Sequence, residues 1–349
     1  MRKVQITLKL ISPLVSFGED KKNKEFRVTE LKALLRSTFR ELYYFQNLEE
    51  MKKQEADLFG STEKKAPVSI VLQNIICRVD SSIAMLPHKE GKQAFYTSCF
   101  GIDSEITICF IERNKKGNMD FLEFYIYLLI QASIIGALGR RSRKGFGSFK
   151  VTNIEDLSDN DGDEFGKLLP MNLEDIVELL TKLNLNNQGE FVKLRNCSTT
   201  DNIVSYSGQG KSDELDYPFV KRITINHLNN ETDVKGLLKK ISELTHDRLC
   251  AIENNENGLL DRKDLDKVNV SILGQHKSGI PKIKRFASPV CISFAMDRGN
   301  NKYLIIKELN YNYAVSKLYN NKTKVNSKIN QKYISEFINK LVQTGGVKK

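Results

Sequence analysis

Phe121–Leu138 reads FLEFYIYLLIQASIIGAL, an almost unbroken apolar run. Such a run is either a membrane span or a helix enclosed on all sides, because a helix at the surface of a globular domain keeps one polar face. Glu123, Gln131, Ser133 and Gly136 interrupt it, and it falls short of a comfortable bilayer crossing. The basic cluster that follows would suit the flank of a membrane helix, but the interruptions favour a helix buried in a soluble domain. Glu105–Ile111 (EITICFI) and Val68–Val79 (VSIVLQNIICRV) are dense in β-branched residues. Val4–Ile11 (VQITLKLI) alternates, with Val4, Ile6, Leu8 and Leu10 on one face. Beyond the helix, Phe146–Val151 begins another strand.

Between the first two strands a helix is expected from Thr29, whose hydroxyl can cap free amides. Leu31, Leu34, Leu35, Phe39, Leu42 and Phe45 line one side of it, and it runs on through a charged segment to a stop at Gly60. The order is then strand, helix, strands, helix, strand, which is the split βαβ, or ferredoxin-like, order of an α+β domain. The acidic run Glu155–Glu164 (EDLSDNDGDE) marks a boundary. Its spacing does not fit a calcium loop, because Glu164 or Asn172 falls where an invariant glycine or a bidentate glutamate belongs. Two domains are expected, residues 1–157 and 158–349. In the second, helices are expected at Asn172–Leu183, Val234–Leu249 and Ile329–Val342, and strands at Phe219–Asn226, Val268–Leu273, Val290–Met296 and Tyr303–Leu309. The Asn/Ser/Thr-rich stretch Asn184–Gln209 reads as a loop. A second βαββαβ unit is the simplest arrangement.

The chain carries 54 Lys and Arg against 43 Asp and Glu, a net charge of +11. That balance points to a polyanionic partner, nucleic acid before an anionic membrane, although part of the lysine excess is ordinary solvated surface. The six cysteines (Cys77, Cys99, Cys109, Cys197, Cys250, Cys291) stand singly, without a C-x-x-C pair or a secretion signal, and read as reduced thiols of a cytoplasmic protein. No histidine lies at ligand spacing from a cysteine or another histidine, so neither a metal nor a cofactor is expected.

The charge is densest just after the apolar run. Gly139–Phe149 reads GRRSRKGFGSF, with Arg140, Arg141, Arg143 and Lys144 set between glycines and no acid among them. Gly139 can simply cap a helix. Gly145 and Gly147, two apart around Phe146, ask for more, since glycines let a backbone approach a ligand and turn its amides toward an anion. The loop is not a Walker A motif, because Phe146 follows Gly145 where a lysine is required. A contact that tracks an RNA backbone fits better. Phe146 could stack on a base, or pack in the core with Phe149 and Val151. On the first helix, Lys32, Arg36 and Arg40 form a neighbouring basic stripe whose alternative is pairing with acids such as Glu41.

LGRRSRKGFGSF resembles the glycine-rich loop of the RAMP superfamily of CRISPR-associated proteins. LKLISPLVSFG, FRVTELKALLRSTFREL and DLFGST precede it in the order seen in the first, head subunit of type III-B (Cmr) effector complexes. KRFASPVCISF (Lys284–Phe294) resembles the family's R-x-x-S-P strand. The resemblance is dense over Lys3–Val151 and thin over Asn172–Gln275. It implies two tandem ferredoxin-like domains, RRM-related, and a non-catalytic subunit that holds guide and single-stranded target RNA near the 3′ end of the guide, beside other RAMP subunits and away from membranes. On that reading Arg36, Arg40, Arg140, Arg141, Arg143 and Lys144 contact phosphates, while Gly139, Gly145 and Gly147 shape the loop. Lys32 joins them by its place on the helix stripe, and Lys282, Lys284 and Arg285 form a second patch.

An enzymatic alternative is a metal-independent endoribonuclease that processes guide RNA with a histidine. The histidines are His88, His227, His246 and His276, and His276, between lysine and glycine neighbours, is the one to test. A third reading is an adaptor whose basic surface meets acidic proteins.

Overall fold

The computed structural model describes residues 1–19, 23–78, 80–89, 94–112, 120–157, 165–181, 189–194, 201–208, 215–229, 231–253, 288–310 and 331–345. β1 (Arg2–Leu10) buries alternate residues, as its sequence alternation requires: Val4, Ile6, Leu8 and Leu10 all face the core. It occupies the middle of a four-stranded antiparallel sheet, between β5 (Glu105–Glu112) and β6 (Phe149–Asp156), with β2 (Val68–Ile76) outside β5. The register sets Ile6 opposite both Ile108 and Ile154, so that branched side chains pair across three strands. Between β2 and β5 the chain makes a separate hairpin, β3 (Asp80–Ala84) and β4 (Tyr96–Phe100), tied back by a bridge between Leu14 and Phe100. Its short polar strands gave no alternation to read.

The expected first helix is two helices. α1 (Val28–Leu42) starts one residue before Thr29, at an Arg27 that makes no side-chain cap. It ends where Tyr43 turns extended, and α2 (Leu48–Phe59) starts afresh from Asn47, whose side chain accepts the Glu50 amide at 2.9 Å. The Glu50 carboxylate in turn accepts the Gln46 amide at 2.7 Å, a reciprocal cap that competes successfully with helix continuation. Gly60 ends α2 with φ of 81°, as expected.

α3 (Phe121–Ile135) is the apolar run. Asp120 caps it by accepting the Glu123 amide at 3.0 Å. It packs on α1, β5 and β6 to one side and on β10 (Val290–Met296) and β11 (Lys302–Leu309) of a second sheet to the other. Eleven of its fifteen residues are buried, which is why its sequence shows no polar face: the helix is the common filling between two sheets. Among the described residues no helix is long and apolar enough to cross a membrane.

The second sheet runs β10-β11-β9-β8-β7, where β9 is Val220–Leu228, β8 Asp201–Gly208 and β7 Gly189–Leu194. β7 and β8 lie in the stretch read as a loop, so that reading is corrected. The Asn and Ser content masks Phe191–Val192 and Ile203–Val204 as strand positions. Helices α4 (Leu173–Thr181), α5 (Val234–Glu253) and α6 (Gln331–Gly345) fall where expected. The strand expected at Val268–Leu273 lies outside the described residues. The place beside β9 that a strand after the last helix would fill in a βαββαβ unit is held by β8, which precedes β9.

Two contacts lock the sheets together across α1. The Tyr217 hydroxyl accepts the Phe45 amide at 2.7 Å and donates to the Phe45 carbonyl at 3.0 Å, satisfying the backbone exposed by the α1–α2 break. Lys307 of β11 pairs with Glu41 of α1, both almost fully buried.

Candidate nucleic-acid interface

The loop after α3 is tied to the fold through several of its backbone groups. The Gly147 amide donates to the Pro13 carbonyl, Arg140 to Val15 and Lys144 to Arg141, while Gly145 donates to Ile292 and Ile292 donates back to Arg143. Ser12 Oγ donates to the Gly145 carbonyl at 2.6 Å and accepts the Ser148 amide at 2.8 Å. Two glycines are forced by close approach. Gly147 has φ of 70°, and a Cβ there would sit 2.0 Å from the Leu138 carbonyl oxygen. Gly145 has φ of 86°, and its Cβ would meet the Phe294 ring at 2.8 Å and Leu238 at 3.1 Å. The glycines thus let the loop pass beneath β10 and α5. These amides are taken by protein carbonyls, so a grip on phosphates falls to the side chains.

Those side chains divide into two sets. Arg140 and Arg143 line a groove of about 660 Å³ between α1, the end of α3 and the β10–β11 pair. Arg140 is exposed and lies over the Phe17 ring, 4.8 Å from its centroid. Arg143 Nη1 donates to the Ser288 carbonyl at 3.2 Å. Arg27 and Lys307 also line the groove, with Glu19, Glu30 and Glu41 as its acids. Burial pushes the Glu30 carboxyl up, against the opposing effects of the Ser16 hydrogen bond and the Arg27 and Arg140 charges. Arg141 and Lys144 are not among the groove's lining residues. Arg141, with φ of 58°, lies 5.8 Å from the Phe146 ring centroid, and burial pushes its guanidinium down. Lys144 is half-buried as a residue, yet its Nζ is buried and has no hydrogen-bond partner among the described residues. Burial first, then the Arg141 charge, bring its ammonium down to about 8; the Arg143 charge adds to this and the Cys291 thiol opposes it.

Other residues singled out from the sequence stand elsewhere. Phe146 is 1% exposed, a core residue with no face for a base, because its neighbours Gly145 and Gly147 bring the chain down onto the sheet. Arg36 and Arg40 do not join the loop. Arg36 Nη2 donates to the carbonyls of Phe59 (3.2 Å) and Gly60 (2.6 Å) at the end of α2, and Arg40 grips Glu55 with two nitrogens. They hold the α1–α2 joint, where cations suit the negative end of α2. Lys32 lines a separate hollow with Arg36, Lys64 and Phe121. Lys282, Lys284, Arg285 and His276 lie outside the described residues. His88 falls in a short 3-10 turn, His246 on α5, and His227 is exposed on β9 with its ring 5.3 Å from that of Tyr303. Among the described residues no group of His, Cys, Asp and Glu gathers that could hold a metal ion.

Sequence reasoning missed Arg27, Lys307 and the two serines that clasp the loop. A signal existed. Ser12–Pro13 and Ser288–Pro289 are the same dipeptide in the two halves, and each delivers a carbonyl to the loop, Pro13 to the Gly147 amide and Ser288 to Arg143.

Residues 7–150 match the model of the RAMP superfamily. The CRISPR system Cmr subunit Cmr1-2 of Pyrococcus furiosus is 27% identical over 178 residues, covering 43% of this chain and 95% of that relative. The crystal structure of Cmr1 from Pyrococcus furiosus in its apo form matches over 88% of both chains, with a TM-score of 0.50 at 13% identity. A chain of the Type III-B Cmr-beta structure bound to cognate target RNA matches over 99% of this chain and 100% of that one, with a TM-score of 0.57 at 15% identity. At these identities the structural likeness establishes a shared fold, one that spans both sheets.

Proposed function

We propose, from the match of residues 7–150 to the RAMP superfamily model, that this chain is an RNA-holding, non-catalytic subunit of a cytoplasmic type III-B CRISPR (Cmr) ribonucleoprotein. It contacts guide and target RNA near the 3′ end of the guide and neighbours other RAMP subunits. The observation that carries the reading is the groove. Arg140 and Arg143 meet Arg27 along one concavity, beside the Lys307–Glu41 pair, though these residues come from three separate stretches of the sequence. Such cations position a sugar-phosphate backbone without reading its bases. The likeness to a chain of an assembly bound to cognate target RNA supports it. The order β2-β5-β1-β6, with α1 and α3 as its crossovers, supports a ferredoxin-like unit over residues 1–157. The second sheet supports a related unit over 158–349, with β8 in the fourth strand position.

The test is binding of single-stranded RNA by the purified chain across a salt series, beside Arg140→Ala/Arg143→Ala. Each lost phosphate contact lowers the log–log slope by about 0.7, so the double variant should lose about 1.4 along with affinity. An unchanged slope would remove the groove from RNA binding.

A further inference from the structure

β2 is an edge that the fold leaves uncovered. It ends the first sheet, and among the described residues no strand but β5 pairs with it. Alternate residues of such a strand turn their N–H and C=O groups outward, where another chain can pair with them. Edges are commonly blunted by brevity, a lysine or a proline. β2 has nine residues, no charge and no proline. Its register shift falls between Leu72 and Asn74, so Val68–Leu72 pairs regularly with β5. The register sets Ile70, Leu72 and Ile75 opposite Phe110, Ile108 and Ile106, on the face that the helices cover. The three β5 residues are fully buried, whereas their counterparts on β2 are only half-buried. On the opposite face Val71 and Ile76 are 39% and 43% exposed. Backbone and side chains alike are left unfinished along this edge.

A hollow of about 1230 Å³ opens at the Val68 end, with Phe59, Phe121 and Ile70 as its apolar lining. Four cations, Lys32, Arg36, Lys64 and Lys65, line it against two acids, Asp57 and Glu63. Arg36 is taken by the Gly60 carbonyl, and Lys64 by Asp57 at 2.6 Å. Lys32 and Lys65 have no ion-pair partner among the described residues, and Lys65 is exposed.

We infer that the free edge of β2 is a docking site for another protein, which adds an extended segment to the four-stranded sheet as a fifth, antiparallel strand. Its apolar residues lie toward Ile70 and Leu72, and its acidic residues at the end beside Lys32 and Lys65. In strand addition the main-chain ladder supplies affinity, and the alternate side chains supply specificity. The two unpaired lysines select an acidic segment, while a second copy of this chain, itself at +11, is disfavoured by charge. A ladder of backbone groups above an apolar lining suits a polypeptide rather than a sugar-phosphate chain. The inference goes beyond the RNA-holding reading and uses none of the groove's residues.

The experiment uses the full chain and a short fluorescent, end-capped peptide that alternates valine and threonine and closes on a pair of glutamates at its C-terminus. That is the end an antiparallel strand brings to Lys65. Anisotropy should show saturable binding without RNA, and hydrogen exchange should show new protection confined to β2 amides. Absence of binding overturns the inference. The fully N-methylated peptide keeps the side chains but lacks every donor of a ladder, and should not bind; equal binding by it overturns strand addition. Moving the glutamates to the N-terminus, or Lys32→Ala/Lys65→Ala, should weaken binding roughly tenfold and flatten its salt dependence. Binding that ignores both changes overturns the acidic partner. A concentration-dependent dimer in sedimentation, abolished by Val71→Lys, makes a second copy the occupant and overturns the inference too. So does displacement of the peptide by single-stranded RNA, which would assign the edge to nucleic acid. Because the peptide is read in the absence of RNA, failure of the RNA-holding proposal leaves this result standing, and Arg140→Ala/Arg143→Ala should bind the peptide as the wild type does.

Discussion

Replacing Lys144 with methionine should make the protein more stable at neutral pH, and by an amount that depends on pH in a defined way. The ammonium titrates near 8 in the folded chain against an ordinary 10.5. At about 1.4 kcal/mol per unit, that difference corresponds to about 3 kcal/mol of destabilisation whenever the amine is charged in both states. Because the folded value is depressed, the unfolded chain binds the proton more tightly, and stability rises with pH wherever the unfolded state holds more protons. Below about pH 8 the full penalty applies; between 8 and 10.5 the folded amine is neutral while the unfolded one is charged, and the penalty fades. Methionine fills the same unbranched space without a charge. Urea unfolding of both proteins at several pH values measures the gap directly. The variant should lead by about 3 kcal/mol near neutrality, and that lead should shrink by about 1.4 kcal/mol per pH unit above 8. A gap constant from neutral to alkaline pH, or a variant less stable at neutrality, would refute a buried and unpaired ammonium. A gain would also show that this loop gives up stability for its charge, as binding sites commonly do.

Three further outcomes follow from the geometry. Gly147→Ala should destabilise by about 3 kcal/mol or more, since its Cβ would lie 2.0 Å from the Leu138 carbonyl at a φ of 70°, and thermal unfolding should show the loss without any RNA present. Lys307→Met alone should cost about 3–5 kcal/mol by stranding Glu41, whereas Lys307→Met/Glu41→Leu should recover most of it, a coupling that a double-mutant cycle in urea would read. Arg40→Ala should lower the unfolding free energy by about 1 kcal/mol, because it removes a partner of Glu55, and leave the salt slope of RNA binding unchanged. A reduced slope would return Arg40 to the RNA-contacting set.

Sequence alone determined the elements whose packing is one-sided or complete. The alternation of Val4, Ile6, Leu8 and Leu10 specifies a strand with one buried face, and a helix without a polar face, as in Phe121–Ile135, has to be enclosed. The concentration of charge in GRRSRKGFGSF was equally plain, because composition is local. The direction of each charge was not. Arg36 and Arg40 share a helix with the groove-lining Leu34 and Glu41, yet a rotation about the helix axis sends them to Glu55 and the end of α2. Arg140 and Arg143 line the groove, while Arg141 and Lys144, on the same short loop, do not, because Gly145 and Gly147 fix the loop against β10 and Pro13. Lys307 and Arg27 join the site from distant stretches that no local pattern connects. Which residues carry charge is a property of the chain; which charges meet, and which are left buried without a partner, is decided only when two sheets close on one helix and desolvate what lies between them.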